Sequence, residues 1–156
     1  MSEITVGKKV PNFTLAATDE QQISLKDFKG KNVVLYFYPK DSTPGCTQES
    51  CDFRDLHKEF TKNNTVVIGV SRDSLKSHEK FKQNHGLTFD LLSDADEELC
   101  NLFGVIKDKV MYGKKVRGIE RSTFLIDTTG KLAKEWRKVS VNGHVQEVLQ
   151  VAQELV

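Results

Sequence analysis

The run NVVLYFY, from Asn32 to Tyr38, constrains this chain more than any other segment. Its apolar and aromatic side chains do not alternate with polar ones, so a strand built from them must be buried on both faces. Such a strand needs cover on each side of its sheet, which points to an α/β architecture. Pro39 closes the run, and from Thr43 the period changes. Phe53, Leu56 and Phe60 then fit one face of a helix ending near Asn63-Asn64.

The rest of the chain supplies matching parts. FTLAATDEQQISL predicts two short strands around a polar turn at Thr18 to Gln22, and Ser24 caps a helical turn, SLKDF, that Gly30 ends. TVVIGVS is a second buried strand, SLKSHEKFKQNHG a helix stopped by Gly86, FDLLSD a third strand and ADEELCNLFGV a short helix. STFLID and KLAKEWRKV form a hairpin turning at Thr129-Gly130, and HVQEVLQVAQELV is a closing amphipathic helix. The basic segment KDKVMYGKKVRG is expected to be a solvated loop. Strand–helix alternation followed by a hairpin and a helix predicts a thioredoxin-like fold, with a central mixed β-sheet flanked by helices. At 156 residues the expectation is a single domain spanning 1–156.

Composition removes several classes of function. The formal net charge is +1, so nothing steers the chain toward nucleic acid or an anionic membrane. No apolar run approaches the roughly 20 residues of a membrane helix, and the N-terminus carries no apolar signal segment, so a cytoplasmic protein is expected. Two Asn-x-Thr matches, at Asn12 and Asn63, are read as chance in that setting. Three cysteines are too few, and odd in number, for a secreted disulfide scaffold. Gly30-Lys31 lacks the rest of a phosphate loop, and the four histidines show no ligand spacing. Cys46, Cys51 and His57 could seed a zinc site, but no fourth ligand is evident; neither metal nor cofactor is expected.

Two of the cysteines stand in YPKDSTPGCTQESC, where the buried strand hands over to the helix. Thr43 is placed as the N-cap and Pro44 as the first helical residue, so Cys46 lies in the first turn. Unpaired backbone N–H groups and the positive end of the helix dipole favour a thiolate there. Acidity alone is a limited gain. A free thiol is already roughly 3% ionised at pH 7, so full ionisation yields at most about 30-fold. A fast thiol enzyme also needs donors aimed at charge developing in the transition state. The Thr43 hydroxyl, the Cys46 N–H and an arginine from elsewhere are the candidates.

Cys51 follows five residues later. On one regular helix that spacing puts the two Cα atoms roughly 8 to 9 Å apart. A disulfide needs less than about 7 Å, so the pair can bond only if the first turn unwinds, which the TPG sequence makes easy. A bland alternative treats both as small core residues. Cys100, beside Leu99, Leu102 and Phe103, does read that way.

The residues Pro39, Thr43 and Cys46 match the pattern P-x-x-x-T-x-x-C, which resembles the active-site motif of peroxiredoxins. YPKDSTPGCTQESC as a whole is similar to the PrxQ, or bacterioferritin comigratory protein, branch. The similarity extends through GKKVPNFTL, GVSRDS, FDLLSD and RSTFLIDTTGKL. It implies a peroxidatic role for Cys46 and a resolving role for Cys51, joined in an intramolecular disulfide. It further implies that Thr43 hydrogen-bonds the thiolate and the peroxide, that Pro39 shields the site, that Arg121 supports the thiolate and the leaving oxygen, and that Glu49 is the acidic neighbour of that arginine. The implied partners are a peroxide substrate and thioredoxin or a similar dithiol reductant. A monomer is expected, because the second thiol is internal. Two rival readings are a thioredoxin-type disulfide reductase, weakened by the lack of a C-x-x-C pair, and a peroxide-responsive binding protein without turnover.

Overall fold

The computed structural model describes residues 4–155. The first hairpin comprises β1 (Thr14–Ala17) and β2 (Gln21–Ser24). The turn Leu25–Phe28 follows, capped by Ser24, whose backbone N–H donates to Asp27 Oδ2 at 2.9 Å. Next come β3 (Asn32–Phe37), α1 (Pro44–Lys62), β4 (Thr65–Ser71), α2 (Leu75–His85), β5 (Asp90–Ser93) and α3 (Glu98–Leu102). After these the chain forms β6 (Ile106–Met111), β7 (Lys114–Ile119), β8 (Ser122–Ile126), β9 (Leu132–Trp136) and α4 (His144–Glu154).

Seven strands make one mixed sheet in the order β2-β1-β5-β4-β3-β8-β9. Strands β3, β4 and β5 run parallel; β8 and β9 are antiparallel additions on one side and β1 and β2 on the other. This is the thioredoxin-like arrangement with the expected helices. Strand β3 is buried at every position, and its side chains feed two separate cores. Val33, Leu35 and Phe37 pack with Leu99, Phe103 and Phe124 on one face. Val34, Tyr36 and Tyr38 pack with Phe53, Phe60 and Val148 on the other, under α1 and α4. A continuous apolar run was therefore required, because each face of the sheet carries its own core.

Across the parallel register Tyr36 lies opposite Gly69. A Cβ on Gly69 would come within 2.7 Å of Leu91 Cδ2 and 2.8 Å of the Tyr36 ring. That missing side chain lets Tyr36 stack on Phe53, with centroids 4.5 Å apart, and bond Ser50 Oγ through its hydroxyl at 2.8 Å. Strand β3 is thereby tied to α1 one turn beyond Cys46. Gly69→Ala is expected to lower stability by about 1–3 kcal/mol through overpacking, measured by urea denaturation.

One expectation fails. The segment read as a solvated loop, KDKVMYGKKVRG, is a two-stranded hairpin of β6 and β7. Its turn uses Tyr112 (φ +54°) and Gly113 (φ +78°), both left-handed, with Tyr112 98% exposed. Both strands are exposed over most of their length, so no buried face imposes the alternation that would mark a half-buried strand. The ribbon is anchored to the body instead by Glu97, which accepts from both Arg72 and Arg117.

Candidate active site

The carboxyl end of β3 runs through Tyr38 and Pro39 into a short loop, and the loop delivers the chain to the start of α1. Thr43 is the N-cap and Pro44 the first helical residue, as the sequence requires. The first helical hydrogen bond runs from Thr47 N–H to the Thr43 carbonyl at 2.8 Å. Cys46 lies one residue before that donor, so its own N–H belongs to the unpaired first turn.

Cys46 is 1% exposed and packed in the core face that holds Tyr36 and Tyr38. Its Sγ accepts a hydrogen bond from Arg121 Nη2 at 3.4 Å. Arg121 stands at the head of β8, and its Nη1 donates to Glu49 Oε1 at 2.7 Å. Two neighbours on α1 are thus joined through an arginine distant in the chain: thiol, guanidinium, carboxylate. Gly45 makes the approach possible, since a Cβ there would sit 3.1 Å from Arg121 Nη2. Sequence reasoning gave Gly45 only a role in flexibility; the clearance it provides depends on an arginine 76 positions away and has no local signal.

Glu49 is fully buried. Burial pushes its carboxyl up to about 7, against the opposing pull of the Arg121 charge. Its Oε2 has no hydrogen-bond partner among the described residues and faces His144 Nε2 at 4.0 Å. His144 is held by Thr123 Oγ1 at 2.8 Å, and burial lowers its imidazole to about 4, so it is neutral at pH 7. Burial also opposes the Arg121 charge, but Glu49 and Cys46 more than offset it and raise its pKa. Thr123 and His144 were not anticipated as members of this cluster; each looked like an ordinary strand or helix residue.

The other expected residues are less closely joined. The Thr43 hydroxyl donates to the Lys40 carbonyl at 2.8 Å and makes no hydrogen bond to Cys46 among the described residues. Pro39 is exposed on the loop. Cys51 is half-buried, and all three thiols are free. Because α1 is unbroken from Pro44 to Lys62, Cys46 and Cys51 keep their helical separation of roughly 8 to 9 Å. Cys100 is fully buried; burial first, then Asp94, pushes its thiol well up, as suits a structural residue.

A family model described as AhpC/TSA matches residues 6–135. The chain is a peroxiredoxin of that family. Within it, this peroxiredoxin groups with the Bcp/PrxQ proteins. It is 53% identical over 146 residues to a putative peroxiredoxin bcp of Coxiella burnetii, covering 94% of this chain and 97% of that protein. It is 52% identical over 152 residues to peroxiredoxin Bcp of Bacillus subtilis, covering 97% of each. Among solved structures, a cysteine-to-serine variant of Xylella fastidiosa PrxQ superposes with a TM-score of 0.94 at 44% identity, covering 99% of this chain and 98% of that one. Another is a Xanthomonas campestris bacterioferritin comigratory protein, studied for alkyl peroxide reduction. It gives 0.87 at 49% identity, over 91% and 90%. The peroxiredoxin is accordingly a thiol peroxidase, using a peroxide and a thiol reductant.

Proposed function

We propose that the peroxiredoxin reduces hydrogen peroxide and small organic hydroperoxides through Cys46, resolves through Cys51 and is recycled by thioredoxin or a similar dithiol donor. The single observation that supports this most is the Arg121 guanidinium on the Cys46 sulfur at the start of a helix. A guanidinium donor on the attacking sulfur is of the kind that stabilises charge developing in the transition state.

In the first step the Cys46 thiolate attacks one peroxide oxygen and the O–O bond breaks. Sulfur loses two electrons and becomes a sulfenic acid. The other oxygen leaves with the electron pair, takes a proton and departs as water or an alcohol. The Thr43 hydroxyl donates its hydrogen bond to the Lys40 carbonyl, so its lone pairs are open to accept a hydrogen bond from the peroxide O–H. An open groove beside this turn, lined by Pro44, Gly45, Gln48, Val141 and Gln146, gives an organic substituent room. The alkyl peroxide activity for which the Xanthomonas campestris relative was studied fits that class of substrate.

In the second step the Cys51 thiolate attacks the Cys46 sulfur, the S–S bond forms, and hydroxide leaves as water. The helical separation forbids this while α1 is intact, so the first turn must open. A dithiol donor then supplies two electrons and restores both thiols. With the second thiol internal, the working unit is a monomer, and a cysteine count of three, small and odd, suits the cytoplasm. Among the described residues no helix is long and apolar enough to cross a membrane.

Mass analysis of peroxide-treated protein tests the scheme. The parent is expected to yield a Cys46–Cys51 linked peptide. Cys51→Ser should instead accumulate over-oxidised Cys46 or an intermolecular bridge. Full peroxidase activity in Cys46→Ser would refute the assignment.

A further inference from the structure

Away from the sulfur, a second buried polar cluster grips the loop that precedes α1. Asp41, Asp73 and His78 bring ligand-type atoms within 4.8 Å of one another. Every one of those atoms already has a protein partner. Asp41 Oδ1 accepts from Tyr38 Oη at 2.6 Å; Asp41 Oδ2 accepts from Ser77 Oγ at 2.8 Å and faces His78 Nδ1 at 2.7 Å. His78 Nε2 meets the Leu92 carbonyl at 2.8 Å, so both ring nitrogens are engaged. Asp73 Oδ2 accepts from the Asp41 backbone N–H at 2.8 Å and from Ser71 Oγ at 2.7 Å. A metal would have to displace most of these bonds, so the cluster is better understood through what it holds.

What it holds is the loop. Asp41 is bonded through both side chain and backbone, and it stands between Pro39 and Thr43. Its neighbour Ser42 is in the left-handed region at φ +65°, a strained conformation for a residue with a Cβ. Such strain persists only where surrounding contacts over-determine the backbone. The contacts come from three elements that the sheet fixes: the end of β4 through Ser71 and Asp73, β5 through Leu92, and the first turns of α2 through Ser77 and His78. His78 is completely buried and is used nowhere else.

We propose that Asp41, His78 and Ser77 form a clasp that positions the loop carrying Pro39 and Thr43, and with it the start of α1, for reaction of Cys46 with peroxide. These are positioning residues, since none touches the sulfur. The proposal rests on Cys46 being the peroxidatic residue, but the clasp itself can be read without any peroxide.

The experiment measures three quantities on the reduced full chain: amide hydrogen exchange at residues 40–46, alkylation of Cys46 by iodoacetamide, and the second-order rate with hydrogen peroxide. Ser77→Ala removes one neutral donor and leaves the buried pair, so it is expected to fold. It should speed loop exchange about fivefold. Asp41→Asn removes the charged acceptor and should speed it tenfold or more, on the order of a lost charged hydrogen bond. Both variants should raise alkylation, which needs an accessible thiolate but no donor on a leaving oxygen, and lower the peroxide rate, which needs aligned donors. Ile126→Val, on β8 opposite Val33 at the far end of β3, is the control for general loss of stability and should move none of the three selectively. Loop protection unchanged in both variants, or lost evenly across the domain, overturns the clasp. If Cys46→Ser kept peroxidase activity while the loop still loosened, the functional assignment would fail and the clasp would stand.

Discussion

Arg121→Met is expected to lower the second-order rate with hydrogen peroxide by about 10²–10³, the usual cost of losing one donor aimed at developing charge. The methionine fills similar space, so the loss reads the guanidinium rather than the volume. The same variant is expected to lose stability, because Glu49 is buried with Oε1 bonded to Arg121 at 2.7 Å. Breaking a buried pair costs on the order of 3–5 kcal/mol. Here the loss should fall at or below the lower end, since the carboxyl of Glu49 can take up a proton and become neutral. Urea denaturation at pH 7 and pH 5 checks this. The deficit should be smaller at pH 5, where Glu49 in the parent already carries its proton. Equal deficits at the two pH values would mean that Glu49 does not titrate between them.

The second large effect is hidden in the parent and appears in single variants. Glu49 is raised by burial to about 7, from an ordinary 4.5 in the unfolded chain. Between those values the folded state binds more protons than the unfolded state, so this group's contribution is complete below pH 4.5 and is lost as pH rises to 7. The shift is on the order of 3 kcal/mol. His144 has the opposite sign. Burial lowers it to about 4 from 6.5, so the folded state binds fewer protons there and stability rises between pH 4 and 6.5, again by about 3 kcal/mol. The two nearly cancel between pH 4.5 and 6.5. Glu49→Gln should unmask the histidine and give stability that climbs with pH across this window. His144→Gln should unmask the carboxyl and give stability that falls. Measuring each variant against the parent at each pH removes the shared acid-range contributions of Asp41, Glu97 and Asp127, all of which are lowered. Parallel profiles for parent and both variants would show that neither group titrates as its burial requires.

The limits of α1 were legible because each is written in local chemistry. Thr43 and Pro44 start it, Phe53 and Phe60 face the core at helical spacing, and Asn63 ends it. The hairpin of β6 and β7 was not legible. It has no buried face to impose alternation, and its turn places a tyrosine where asparagine, aspartate or glycine would be the signal. In the site, the cysteine at a helix start was readable from TPGC alone, and Arg121 and Glu49 came through the family motif. The covering of Cys46 to 1% exposure was not readable, nor was the turning of the Thr43 hydroxyl to Lys40. The contacts of His144 and Asp41 were equally hidden. Apart from the local Thr43 bond, each depends on which side chains the sheet and helices bring together from distant parts of the chain.

By itself, then, the sequence determined the doubly buried β3, the helix that begins at Thr43 and the placing of a thiol in its first turn, because periodicity and capping act between near neighbours. Only the tertiary structure decided the charge environment of that thiol. Whether a buried glutamate, an arginine and a histidine meet depends on strand order and helix packing, and their protonation follows from the loss of water that this meeting imposes.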